Sequence, residues 1–332
     1  GEGGPVKVLV LAPLSPEALA LLEGRCQVLY EPWTHTRRLW DASELAHRLQ
    51  GEGIEGVISE IDFFFDEAFA PPSPLRILAL CRHATNQVDL EAATAAGVVV
   101  VHTPHRNAQG VAEMAFGLMV ALARRIPWAD AYIRAGRWTN PLDAYERFQG
   151  VEMAGKTLGV VGLGAIGRRV ARLGRAVGMR VIAHDPYARP LRGIPLLPLD
   201  DLLAQADFLT LHAPDTPETY HLINAARLAR MKPTAFLVNT GGGSLVDTEA
   251  LCAALREGRL AGAALDVVEA APLPPESPLL ACPNLLLTPH IGGATRETVA
   301  RYSAMVTADI LRWLEGKRPR YCANPEVWRR RR

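Results

Sequence analysis

The sequence predicts an α/β fold in two domains, each a parallel sheet covered by helices. Three observations predict it. The chain has 332 residues and is 49% hydrophobic, enough for two domains with cores of their own. Short β-branched or Leu-rich runs alternate with helical patterns from end to end. A second round of that alternation begins near Thr157.

In the first round, Val6–Leu11 reads as a strand and Pro16–Glu23 as a helix. Val57-Ile58, Leu75–Leu80 and Val98–Val101 read as further strands, with helical stretches such as Leu90–Ala96 between them. The stretch Val111–Gly150 is rich in helical pattern and carries Trp128, Tyr132, Trp138 and Tyr145. The second round gives strands at Thr157–Val161, Arg180–His184, Phe208–Leu211, Ala235–Asn239, Ala261–Val267 and Leu285–Leu287, and a long helix at Ala294–Leu314.

Charge and cysteine usage narrow the function classes. A net charge of +1 provides no global field for nucleic acid or an anionic membrane. The run Arg329–Arg332 is expected to be a solvated tail, with a nucleic-acid or phosphoinositide contact as the alternative. Five cysteines, widely spaced and without C-x-x-C, argue against a disulfide framework or a zinc site and for a reducing compartment. No stretch has the length and apolarity of a membrane span, and no leader pattern is seen. The expectation is a cytoplasmic protein without a metal, acting on a small molecule.

The strongest chemical motif follows the strand Thr157–Val161. Gly162-Leu163-Gly164-Ala165-Ile166-Gly167 is G-x-G-x-x-G, and a helical stretch, Arg168–Val177, comes next. One glycine makes a tight turn, one lets backbone approach a pyrophosphate, and one lets helix pack on strand. The pyrophosphate would sit at the helix N-terminus, where free N–H groups and the dipole favour anions. Asp185 closes the next strand and is placed for the adenosine ribose diol. Its charge favours NAD over NADP, and Arg189 nearby is the residue that would soften the preference.

Beyond this motif, Leu211-His212-Ala213-Pro214, Thr216 and Thr219, His221-Leu222-Ile223, Val238-Asn239-Thr240, Leu245-Val246-Asp247, Gly262–Val267 and Thr288-Pro289-His290-Ile291-Gly292-Gly293 occur in order. Val88-Asp89, Thr103-Pro104, Arg106-Asn107 and Val111-Ala112-Glu113 precede them. With these motifs the chain resembles the D-isomer-specific 2-hydroxyacid dehydrogenases along nearly its whole length. The resemblance implies a flavodoxin-like substrate domain (1–106 and 292–332) split around an inserted NAD-binding Rossmann domain (107–291). It also implies an arm near 111–150 that embraces a second subunit, making a homodimer, and an active site in the cleft between domains. Cofactor contacts are expected from Gly162, Gly164, Ala165, Ile166, Gly167, Asp185, His212, Pro214, Thr219, Thr240, Gly241, Asp266, His290, Gly292 and Gly293.

In the family a histidine exchanges the proton of the substrate oxygen, a glutamate hydrogen-bonds that histidine, and an arginine holds the substrate carboxylate. His290 matches the histidine. Gly242 stands at the arginine position and Ala271 at the glutamate position, with Glu269 two residues away. On the other side of the expected cleft, His83, His102 and His105 stand at unusual positions, and Arg82 and Arg106 are candidates for the missing positive charge. Three readings stay open: an NAD-dependent oxidoreductase with a rebuilt site and a non-standard substrate, a non-redox enzyme using the same cleft, and an NAD-binding protein without turnover, similar to a corepressor.

Overall fold

The computed structural model describes residues 3–329, so Arg330–Arg332 of the basic run lie outside the described residues. The chain forms two compact units. It passes from the first to the second at Asn107 and returns to the first at Thr295.

The first unit carries a five-stranded parallel sheet of β1 (Lys7–Val10), β2 (Gln27–Tyr30), β3 (Gly56–Ser59), β4 (Ile77–Leu80) and β5 (Val99–Val101), in the order β2-β1-β3-β4-β5. This is the flavodoxin order. Strand alternation fills both faces: Val8 and Val10 enter one core cluster, Leu9 and Leu11 the opposite one. Both faces being covered explains why these strands read as continuous apolar runs.

The long helix Arg296–Leu314 belongs to this unit. Its Tyr302, Val306, Ile310 and Trp313 pack with Val8, Val10 and Ile77. Thr295 caps it by accepting from Thr298 N at 3.0 Å. The chain end is tied down by the fully buried Asn324. It accepts from Val100 N at 2.9 Å and donates to Val98 O at 2.8 Å. Neither β2 nor the helix Ala42–Glu52 was expected from sequence. Gln27–Tyr30 is a short edge strand of four residues, with Gln27 exposed and the other three half-buried.

The second unit carries a six-stranded parallel sheet of β6 (Thr157–Val161), β7 (Arg180–His184), β8 (Phe208–Leu211), β9 (Phe236–Asn239), β10 (Gly262–Leu265) and β11 (Leu285–Leu287), in the order β11-β10-β9-β8-β6-β7. Direction along the sheet reverses beside β6, which creates a switch point between β6 and β8.

Helix Ala108–Ala123 is part of this unit's core. Ala112, Ala115, Leu118, Met119 and Leu122 are buried against Val160, Val170 and Ala264. Between 111 and 123 the small and aliphatic face packs on the sheet, and the exposed large apolar side chains of the stretch expected as an arm begin at Ile126.

One expectation about cysteine is corrected. Cys252 and Cys282 form a disulfide across 30 residues, with Cα atoms 5.7 Å apart, while Cys26, Cys81 and Cys322 are free. The helix Thr248–Arg256 and the turn Pro278–Ala281 bring the two together, a tertiary proximity that spacing alone does not show.

Candidate functional site

The groove at the switch point is built by the motif. Gly162 has φ 90°, and a Cβ there would meet His212 O at 2.7 Å. Gly167 is even more constrained, since its Cβ would overlap Gly162 O. Gly164 differs, because a Cβ there would point into open space. Two glycines thus close the turn and seat the helix, and the third leaves its face clear for a ligand. Helix Ala165–Ala176 begins three residues earlier than expected. Gly164 is its N-cap and no side chain caps it, so first-turn N–H groups face the groove.

The groove encloses about 830 Å³ and is lined by Gly162, Gly164, Ala165, Asp185, His212, Pro214 and Thr219, among others. Asp185 Oδ2 accepts from Leu163 N at 2.8 Å, and Oδ1 accepts from Tyr187 N at 2.9 Å. The carboxylate, which also accepts from Ala188 N at 3.1 Å, thereby pins the glycine loop at the edge of the groove. His212 Nε2 lies 2.7 Å from Thr210 Oγ1, and burial pushes the ring down to about 3, so it is neutral at ordinary pH. Thr219 Oγ1 donates to Pro214 O at 2.7 Å and shapes the opposite lip.

Arg168 and Tyr187 also line the groove and were not singled out in the sequence. Arg168 follows the third glycine immediately. Its Nε donates to Leu163 O at 3.0 Å, which places a cation beside the helix start.

Several expected cofactor residues lie off this groove. Ile166 and Gly167 are part of the helix packing. Thr240 is buried, with Oγ1 3.5 Å from His212 Nδ1. A Cβ on Gly241 would strike Ala213 O at 2.8 Å, and one on Gly293 would strike Asn107 Nδ2 at 2.6 Å. Asp266 is buried, and its side-chain bonds go to the loop around His290. Oδ1 accepts from Thr288 Oγ1 at 2.7 Å and from Ile291 N at 2.8 Å, and Oδ2 accepts from Gly292 N at 2.9 Å. That clamp holds His290 exposed, in a left-handed conformation with φ 56°.

Residues 116–292 match the family model described as D-isomer specific 2-hydroxyacid dehydrogenase, NAD binding domain. The chain is 41% identical over 268 residues to a glyoxylate reductase of Korarchaeum cryptofilum, covering 79% of this chain and 80% of that one. It is 39% identical over 328 residues to a glyoxylate reductase of Aeropyrum pernix, covering 97% and 96%. A solved structure from Thermus thermophilus is 40% identical, with TM-score 0.86, covering 96% of this chain and all 100% of that one. The chain belongs to the D-isomer specific 2-hydroxyacid dehydrogenase family.

The family model is that of an NAD-binding domain, and the features of the switch-point groove fit that cofactor: a bare helix start, a clear Gly164 face and a carboxylate at the end of β7. Around the other two singled-out positions the second unit is arranged as follows. Gly242 lies under Asp215, whose Oδ1 accepts from Ser244 N at 3.1 Å and from Ser244 Oγ at 2.7 Å. Ala271 is exposed. Glu269 is committed elsewhere: Oε1 pairs with His221 Nε2, and Oε2 accepts from Thr248 Oγ1 at 2.6 Å. Within the second unit His290 has no acid bonded to it. The unit's bonded histidine–glutamate pair is His221–Glu269, with Tyr220 stacked on the imidazole at 4.0 Å between centroids.

In the first unit the structure brings His83, His102 and His105 together. His83 is 5.9 Å from His102 and 5.4 Å from His105, measured between ring centroids. Arg106 is mostly buried beside them, which lowers its affinity for a proton, and its charge acts on His83. Arg82 supplies a carbonyl that accepts from Thr103 N at 3.0 Å, tying the loop after β4 to the loop after β5.

Proposed function

We propose that this chain is an NAD(H)-dependent oxidoreductase that interconverts a C–OH and a C=O group, on a substrate held differently from an ordinary 2-hydroxyacid. The observation that carries the reading is a complete nucleotide groove in the same unit as an exposed histidine clamped by a buried carboxylate. NAD supplies or accepts the hydride when bound. The His290 imidazole gives or takes the proton on the substrate oxygen, and Asp266 fixes the loop that aims it. The N–H groups at the start of helix Ala165–Ala176 and Arg168 hold the pyrophosphate, and Asp185 holds the ribose diol and repels a 2′-phosphate.

The Asp215 carboxylate above Gly242 supports the altered recognition. A substrate carboxylate brought to that surface would meet a like charge and no guanidinium. The same observation favours a second reading, an NAD-binding protein without turnover.

NADH titration by fluorescence, followed by a screen of 2-keto acids, aldehydes and ketones for NADH consumption, separates the two. Turnover that disappears in His290→Gln supports the first reading. Binding without any turnover supports the second. Brisk 2-keto acid reduction by the native chain would contradict the altered recognition.

A homodimer belongs to the same reading. Leu142 and Tyr145 are 77% and 78% exposed, next to the exposed Ile133 and Trp138, an apolar face suited to a second copy. Light scattering behind a sizing column would give the mass, and a monomer at micromolar concentration would refute it. No helix among the described residues is long and apolar enough to cross a membrane.

A further inference from the structure

The helix that starts in the glycine motif and the loop after β7 concentrate charge beyond what the nucleotide groove uses. Between Gly162 and Leu199 the sequence has seven arginines and one acid, Asp185, although the whole chain is balanced to +1. Arg168, Arg172 and Arg175 fall at i, i+4 and i+7 and share one face of helix Ala165–Ala176. The loop runs along that face: Arg168 Nη2 donates to Arg189 O at 3.3 Å, and Arg175 Nη1 donates to Arg192 O at 3.0 Å. Arg189 and Arg192 thus join the helix's own arginines at the β7 edge of the sheet. Arg172, Arg175, Arg189 and Arg192 are exposed.

Nothing among the described residues neutralises the cluster. None of the seven arginines is in an ion pair there. Where their side chains donate, the acceptors are uncharged: the carbonyls of Leu163, Ala165, Arg189 and Arg192 and the side-chain amide of Gln205. Asp185 is held by Leu163 N, Tyr187 N and Ala188 N. The arrangement costs stability. Cations at i, i+3 and i, i+4 repel one another, and Arg168 lies in the first turn, where the helix dipole disfavours positive charge. No acid in that turn offsets it. The groove has little pull of its own. Its lining sets Arg168 against Asp185 and Glu218, and His212 is neutral at ordinary pH. Arg172, Arg175, Arg189 and Arg192 are not in the lining.

We propose that Arg172, Arg175, Arg189 and Arg192 form a capture surface for anionic dinucleotides, which draws them from solution into the adjoining groove and does not touch them once they are seated. The pyrophosphate is a dianion. While still diffusing, it feels the summed field of the arginines, and that field raises the approach rate without adding a bound contact. Arg168 belongs both to the helix face and to the groove lining, so capture passes into binding there. The proposal rests on the function proposed above only in that the groove takes NAD(H). It assigns the four arginines to the association rate and leaves the final hold on the pyrophosphate to Arg168 and the helix N–H groups.

The test follows NADH binding to the full chain by stopped-flow fluorescence, which gives the association and dissociation rates separately. Between about 0.01 M and about 0.3 M ionic strength the association rate should fall about tenfold, while the dissociation rate changes less than about twofold. The double variant Arg172→Glu with Arg192→Glu should associate about tenfold more slowly than the native chain at the lower ionic strength and converge on the native rate as salt is added. Its dissociation rate should stay within about twofold of the native value. Arg172→Lys with Arg192→Lys keeps the charge and should keep the native rate, which separates charge from shape. Thermal melts check that both variants fold as the native chain does. A native association rate indifferent to salt overturns the proposal. So does a glutamate variant that matches the native chain at low ionic strength, or one whose loss lies all in dissociation, since the arginines would then be bound contacts. A chain that takes NADH at a salt-independent rate keeps the proposed function and loses only the capture surface. One that does not take NADH at all loses both.

Discussion

The Asp215 carboxylate fills the volume that any side chain on Gly242 would need: a Gly242 Cβ would overlap its Oδ1 and stand 2.9 Å from the Asp215 backbone nitrogen. The two loops meet because β8 and β9 are parallel neighbours, with Leu211 opposite Asn239. The loop has closed over Gly242, and Ser244 secures the closure through two bonds to Asp215.

Gly242→Ala should therefore destabilise the protein by about 1–3 kcal/mol, the usual range for overpacking. Asp215→Ala alone should cost about 1 kcal/mol through the lost Ser244 bonds. Together they should cost less than their sum, because the second change removes the atoms the first collides with. Urea denaturation of the four proteins measures the coupling, and simple additivity would show that the carboxylate swings clear. It also follows that an arginine placed at 242 needs Asp215 removed before it can test carboxylate recognition.

Gly164 and Gly167 should separate binding from folding. Gly164→Val puts its side chain into open groove, so the protein should fold normally and bind NADH about tenfold or more weakly. Gly167→Ala drives a methyl group into Gly162 O and should cost about 3 kcal/mol or more in stability. Thermal melts and NADH fluorescence on both variants check this. Equal loss of binding without loss of stability in Gly167→Ala would contradict the packing role.

His212 makes an acid-sensitive contribution. Its folded value, about 3, lies below its ordinary 6.5, so between those pH values the unfolded chain binds a proton that the folded chain does not. Above about 6.5 the ring is neutral in both states and contributes no pH dependence. As pH falls below that, stability drops by up to about 1.4 kcal/mol per unit. His212→Gln should lose this slope, so its stability relative to the native chain rises on acidification. Urea midpoints between about pH 7 and pH 5 give the comparison. A ring resonance titrating near the ordinary histidine value would refute the assignment.

What was legible in the sequence was mostly local. β6, the glycine motif and Asp185 lie within 30 residues, and Gly162 and Gly167 have steric reasons visible in the structure, while Gly164 leaves an open face. Arg168 was missed because the motif ends one residue before it, and β2 because a four-residue edge strand, one residue exposed and three half-buried, is too short to show periodicity. The Asp215–Ser244 clasp, the Cys252–Cys282 disulfide and the His221–Glu269 pair join residues 29, 30 and 48 apart. Those contacts depend on which strands are neighbours, and hydrophobic pattern does not encode strand order. The histidine cluster lay between these cases. The sequence places its members together on one side of the expected cleft, and the pairing of β4 with β5 gives their proximity within the first unit.

Asp266 offers the sharpest test of how His290 is positioned. Its carboxylate accepts three hydrogen bonds from the loop and donates none. In Asp266→Asn the amide nitrogen must face at least one N–H or O–H of that loop. The least costly orientation keeps an oxygen toward Thr288 and Ile291 and turns the amide toward Gly292 N. One charge-assisted bond is then replaced by two opposed donors, a loss of about 1–3 kcal/mol. Because the loop and not the nucleotide groove is loosened, NADH affinity should change less than about twofold while kcat falls about tenfold or more. Asp266→Ala should be worse on both stability and kcat, since all three donors lose their acceptor. If Asp266→Asn instead weakens NADH binding and leaves kcat intact, the carboxylate acts on the cofactor directly and the clamp is incidental.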